Sequence, residues 1–103
     1  MVRRRIVWMA ESTAQLTDIL LYYKHRNGNS RYSKVIRQTI KSKLNLLKHQ
    51  PYIGKIVNEN NIRVIFVLHY HVFYEIKTTD ILVLSIWDGR RNPENIKYYK
   101  KGD

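Results

Sequence analysis

IRVIFVLHYHVFYEIKTTDILVLSIWDGRRNP, residues 62–93, is the stretch on which the fold turns. It divides into three strands. Residues 62–68 are β-prone and His69 sits at a bend. Residues 70–77 alternate, with Tyr70, Val72, Tyr74 and Ile76 on one face and His71, Phe73 and Glu75 on the other. Thr78, Thr79 and Asp80 turn the chain. Residues 81–87 are then nearly all apolar, the mark of a central strand covered on both faces. Connections this short force antiparallel neighbours.

Upstream of this meander, residues 55–58 read as a short, weak strand and Glu59, Asn60 and Asn61 as its hairpin turn. Residues 51–54 form a turn. Two helices precede it. The first is expected to start at Ser12, which forms a capping-box pattern with Gln15. Leu16, Ile19, Leu20 and Tyr23 then make one apolar stripe, and Asn27 with Gly28 stops the helix. The second helix is capped by Asn29 or Ser30 and carries Tyr32, Val35, Ile36, Ile40, Leu44 and Leu47 on one face. It ends near Gln50, because Pro51 disfavours helical geometry before it. The short link makes the two helices an antiparallel hairpin. Residues 2–9 read as a strand. The expected order is β-α-α-β-β-β-β, followed by a polar tail or short helix at 94–103. The expected fold is α+β in two layers, a helix hairpin packed on a small antiparallel sheet, in a single domain spanning 1–103.

Charge is what sets the composition apart. Lys and Arg number 19 against 8 Asp and Glu in 103 residues, a formal net charge of +11. Such a field attracts polyanions: nucleic acid, ribosome, anionic membrane or an acidic protein. With 44% hydrophobic residues the chain has the material for a core. The absence of Cys excludes disulfides, thiolate zinc sites and a Cys nucleophile. Apolar runs are strand-length, short of the roughly 20 residues of a membrane span. Arg3, Arg4 and Arg5 precede no apolar stretch of the secretory type, so the cytoplasm is the default.

Candidate chemistry follows from the placement of cations. Arg63 opens a strand, Lys55 lies on the strand before it, and Arg90 and Arg91 follow the last strand. If these strands are neighbours, Lys55, Arg63 and one of Arg90 or Arg91 converge on one concave surface that suits a phosphodiester. The plainer alternative is that Arg90 and Arg91 cap a turn. Lys34, Arg37, Lys41 and Lys48 fall on one side of the second helix. They read either as a nucleic-acid rail or as a solvated face. Arg3 and Arg5 read either as phosphate contacts or as charges that protect an edge strand. His69 and His71 have metal-binding spacing, but no carboxylate or thiol lies beside them to complete a site. Asp88 reads as a turn cap or salt bridge. Tyr98 or Tyr99 can stack on a base, donate a proton or pack the tail on the sheet. There is no Ser-His-Asp pattern and no Gly-rich phosphate loop. No metal or cofactor is implied.

These residues together resemble the RelE/ParE superfamily of type II toxin–antitoxin toxins, the plasmid stabilisation family. The likeness runs from about Val7 to Pro93. It is carried by Trp8 with Ala14, Leu16, Ile19 and the Tyr22–Tyr23 pair, by Leu46 and Leu47 spaced to Pro51 and Gly54, by Arg63–Val64 leading a strand, by Phe73, Tyr74 and Ile76, and by Ile86 spaced to Gly89, Arg90, Arg91, Asn92 and Pro93. The resemblance implies a small basic growth inhibitor neutralised by an acidic or amphipathic antitoxin segment. RelE-like members cut mRNA on the ribosome without metal, and ParE-like members poison DNA gyrase. Under the nuclease reading, which is the first expectation, Arg63 acts on the scissile phosphate with Arg90 or Arg91, and Lys55 or Tyr98 handles protons. The chain departs from the nucleases at Asp88, where many carry His, and in the position of the tail tyrosine. The alternatives are gyrase inhibition without catalysis, or an inactive basic binding protein.

Overall fold

The computed structural model describes residues 3–91, 96 and 98. Its elements are β1 (Arg5–Trp8), α1 (Ala10–Asn27), α2 (Arg31–Leu47), a 3-10 turn (Pro51–Ile53), β2 (Lys55–Ile56), β3 (Arg63–Val67), β4 (Tyr70–Ile76) and β5 (Asp80–Asp88). The strands form one sheet in the order β1-β5-β4-β3-β2. The meander β2–β5 is antiparallel, as its short turns require. β1 pairs in parallel with β5, Arg5 opposite Asp80 and Trp8 opposite Val83. The sheet is therefore mixed, because the helix hairpin carries the chain back over one face before the meander begins.

The two layers meet in one core. Ile36, Ile40, Leu44 and Leu47 of α2 are buried against Ile65 and Val67 of β3, Tyr70, Val72 and Tyr74 of β4, and Ile81, Val83 and Ile86 of β5. Burying four such aliphatic side chains stabilises by roughly 1.5–3 kcal/mol each. That outweighs the roughly 1 kcal/mol of a side-chain cap, which α2 lacks at Ser30. Asn29 instead accepts a hydrogen bond from the Arg31 amide at 3.0 Å. α1 ends as its sequence suggests, with Gly28 in the left-handed conformation at φ 70°.

The start of α1 corrects the capping-box expectation. The helix begins at Ala10, and Ser12 and Gln15 are turned inward. The fully buried Ser12 hydroxyl lies 2.7 Å from the Val83 carbonyl and 3.0 Å from the Met9 carbonyl. Gln15 Oε1 accepts from the Ile86 amide at 2.7 Å and from the Ser85 hydroxyl at 3.1 Å. β1 ends opposite Val83, so the β5 backbone beyond that point needs other partners. Gln15 supplies one at the Ile86 amide, while Ser12 adds a second donor to the Val83 carbonyl, which already accepts from the Met9 amide at 3.1 Å.

The face of the sheet away from the helices carries a second, smaller cluster. Ile62, Val64 and Phe73 are buried there beneath Ile96 and Tyr98 of the tail. The Tyr98 ring lies 5.2 Å from that of Phe73.

Candidate functional site

The register decides which cations can meet. Arg63 pairs with Tyr74, Val67 with Tyr70, and Tyr70 with Asp88. Arg63 and the Asp88–Arg90 turn thus lie at opposite ends of the sheet. Four residues of β3 separate them along the strand, about 13 Å, and two strand spacings across it, about 10 Å. Lys55 pairs with Val64, whose side chain belongs to the tail-side cluster, whereas Arg63 shares the helix-side face with Ile65 and Val67. The expected convergence of Lys55, Arg63 and Arg90 or Arg91 on one hollow is not formed. Strand alternation sends Lys55 and Arg63 to opposite faces, and antiparallel pairing sends Arg63 and Arg90 to opposite ends. Tyr98 sits on the tail side, with its carbonyl accepting from Asn58 Nδ2 at 3.0 Å. Tyr99 lies outside the described residues.

Arg63 is already engaged. Its Nη1 donates to the Gly54 carbonyl at 2.7 Å and to the Tyr52 carbonyl at 3.2 Å, and its guanidinium stands 5.1 Å from the Tyr52 ring centroid. Beside it, the buried Tyr74 hydroxyl donates to the Pro51 carbonyl at 2.7 Å and accepts from the Gly54 amide at 2.9 Å. Burial pushes the Tyr74 phenol up. Arg63 and Tyr74 together hold the Pro51–Gly54 segment that joins α2 to the meander.

At the other end, Asp88 organises its turn. Arg90 Nε donates to Asp88 Oδ1 at 3.0 Å, Nη2 donates to Oδ2 at 2.8 Å, and the Arg90 amide donates to Oδ1 at 2.9 Å. This forked pair lowers the Asp88 carboxyl to about 2, the Arg90 hydrogen bond being the main cause. Arg90 Nη2 also reaches the Tyr23 hydroxyl at 3.3 Å. The Gly89 amide donates to the His69 carbonyl at 2.7 Å, and a Cβ at Gly89 would meet His71 Nε2 at 2.8 Å. Burial lowers the His71 pKa. His71 points to the tail side while His69 sits in the β3–β4 turn, 3.9 Å from Asp88 Oδ2, so the two rings do not form a metal pair. Among the described residues no three His, Cys, Asp or Glu cluster as metal ligands would.

Two grooves flank α1. One, of about 520 Å3, runs between α1 and the end of β5 and is lined by Tyr22, Tyr23, Trp87, Asp88, Arg90 and Arg91 among others. The second, of about 690 Å3, lies between the two helices and β1. Ile6, Trp8, Leu16, Leu20, Ile40 and Leu44 form its apolar floor, and Arg37, Lys41 and Lys48 stand on its α2 side. Lys34 lies one turn before Arg37. Arg5 pairs with Asp80 at 3.2 Å at the edge of the sheet, and Arg3 is exposed nearby in sequence.

With this geometry in place, comparison with known proteins is direct. The model of the ParE toxin of type II toxin–antitoxin systems matches residues 6–93. The chain belongs to the ParE toxin family. No curated protein matches it by sequence. A solved structure described as the chromosomal ParDE TA system from P. aeruginosa has the same fold. It shares 17% identity at a TM-score of 0.69, over 82% of this chain and 94% of that one. As a ParE-family toxin, the chain is one half of a toxin–antitoxin pair and has a cognate antitoxin as partner. Among its described residues no helix is long and apolar enough to cross a membrane.

Reading the sequence for cations missed the groove between α1 and β5 in this ParE-family chain. Its walls come from Ile19 and Tyr23, which the sequence presents as ordinary positions on a helix stripe, and from Gln15, which it presents as part of a capping box. The available signal was Tyr22, an aromatic residue just outside that stripe.

Proposed function

We propose that this ParE-family toxin inhibits DNA gyrase by binding and performs no catalysis of its own, and that its antitoxin silences it by laying an acidic amphipathic segment in the groove between the helices and β1. One observation carries the choice of target. The cations that a RelE-like nuclease would bring to a single phosphate stand at opposite ends and on opposite faces of the sheet. Arg63 is committed to backbone carbonyls and Arg90 to Asp88. Transition-state stabilisation needs donors a hydrogen-bond length from one developing charge, and neither Arg63 nor Arg90 can turn to a shared phosphate without giving up its present partners.

The partner groove supports the second half of the proposal. An apolar floor edged by Arg37, Lys41 and Lys48 suits a helix with one apolar and one acidic face better than a bare phosphate backbone. The test is a pair of assays on the purified toxin. Gyrase supercoiling should be inhibited and ribosome-bound mRNA should stay intact. Arg63→Ala should lower thermal stability by about 1–3 kcal/mol, the cost of losing charge-assisted bonds to carbonyls, while inhibition per folded molecule is kept. Ribosome-dependent cleavage that Arg63→Ala abolishes in a folded protein would return the chain to the nuclease reading.

A further inference from the structure

The groove between α1 and the end of β5 has a chemistry that neither gyrase inhibition nor antitoxin binding uses. Its outer wall is Tyr22, 57% exposed on α1. It is one of three tyrosines that pack edge to face: Tyr22 on Tyr23 at 5.0 Å and 85°, and Tyr23 on Tyr32 at 4.8 Å and 81°. Tyr32 is itself 37% exposed, so the cluster shows two rings to solvent. The Tyr23 hydroxyl is tied to Arg90, which is tied to Asp88, so the wall of the groove is braced rather than adaptable.

Cations surround these rings. Arg91 lines the groove, and its side chain has no hydrogen bond or ion pair among the described residues. Arg26 lies one helical turn beyond Tyr22, and Arg31 adjoins Tyr32; neither side chain is paired among the described residues. Asp18, one turn before Tyr22, also lines the groove. It offers a carboxylate to the amino edge of a base rather than to a phosphate.

We propose that this end of the molecule binds single-stranded nucleic acid, with a base stacked on Tyr22 and the adjoining phosphates held by Arg91 and Arg26. Exposed rings interleaved with unpaired guanidinium groups are what a flexible strand with unstacked bases can use. A duplex keeps its bases stacked and offers the rings nothing. Phosphates alone would bind as well to the α2 rail, where Lys34, Arg37 and Lys41 have no exposed ring between them on their own face. The rings and guanidinium groups at this end of the molecule act on bases and phosphates, so DNA and RNA strands share the chemistry.

The experiment is fluorescence anisotropy of the purified chain with labelled oligonucleotides of one length: single-stranded DNA, single-stranded RNA and duplex DNA. A single strand should bind more tightly than the duplex, although the duplex carries more charge. Tyr22→Ala should weaken single-strand binding roughly five-fold or more and abolish the preference, and Tyr22→Phe, which keeps the ring, should restore both. Arg91→Ala should reduce the steepness of the salt dependence by about one phosphate contact. Lys34→Ala should leave the preference intact. Whichever of the DNA and RNA arms binds more tightly names the natural strand. Absence of binding, equal affinity for duplex and single strand, or a preference that survives Tyr22→Ala in a folded protein would overturn the proposal.

Discussion

At the scale of single residues, the arginines of this toxin separate by what they touch. By its side chain, Arg63 meets two carbonyls and a tyrosine ring, Arg90 a carboxylate and a phenol, and Arg91 no hydrogen-bond or ion-pair partner among the described residues. Of these three, only the Arg91 side chain is free to meet a partner without giving up an existing contact. The Asp88–Arg90 pair has a testable acid signature. Its carboxyl titrates at about 2 in the folded chain, from an ordinary value near 3.8. A depressed carboxyl pKa favours the folded state above the unfolded value, and that contribution disappears as pH falls through the folded one. The pair should therefore be fully effective above about pH 5 and lost between about pH 4 and pH 2. Asp88→Asn should lower thermal stability at neutral pH and flatten the stability curve across that acid window, as read by circular dichroism melts. An unchanged slope between wild type and variant would show that other carboxylates control the acid transition.

At the scale of elements, α1 is fastened to β5 by polar bonds as well as apolar packing. Gln15 takes up the Ile86 amide at the point where β1 has run out, and Ser12 takes up the Val83 carbonyl. Gln15→Ala should leave the Ile86 amide without its partner and cost about 1–3 kcal/mol. Hydrogen exchange should show the Ile86 amide losing protection well before those of β4. Equal protection in the variant would mean that water replaces the glutamine without loss. These same residues mark what a sequence can and cannot disclose. The alternation of residues 70–77 and the helix stripes were legible because a local period maps directly onto a buried face. The pattern of Ser12 followed by Gln15 looked like a cap because a capping box is a local motif. Its actual partners lie about 70 residues away on β5. The parallel docking of β1 and the far placement of Arg63 from Arg90 depend likewise on pairings that no local window contains. Lys55 and Arg63 were separated by alternation alone, a rule that was available once the register of β2 on β3 was known.

At the scale of the whole molecule, the charge of +11 is spread over a surface whose two grooves use it differently. In the groove between the helices the cations edge an apolar floor, so affinity and steering should separate. Apolar contact holds a bound segment in place and is insensitive to salt, whereas Arg37, Lys41 and Lys48 act at a distance on an approaching acidic chain. Raising ionic strength from about 0.1 M to about 1 M shortens the screening length from about 10 Å to about 3 Å. The association rate with the cognate antitoxin should then fall by at least an order of magnitude, while the dissociation rate changes little. Reversing Arg37 and Lys41 to Glu should slow association at low salt and make its salt dependence shallower or opposite in sign, without lowering the melting temperature, because both side chains are exposed. Stopped-flow measurement of the two rates against salt checks this directly. If salt instead accelerated dissociation and left association unchanged, these cations would be making close ion pairs in the complex rather than steering a partner toward it.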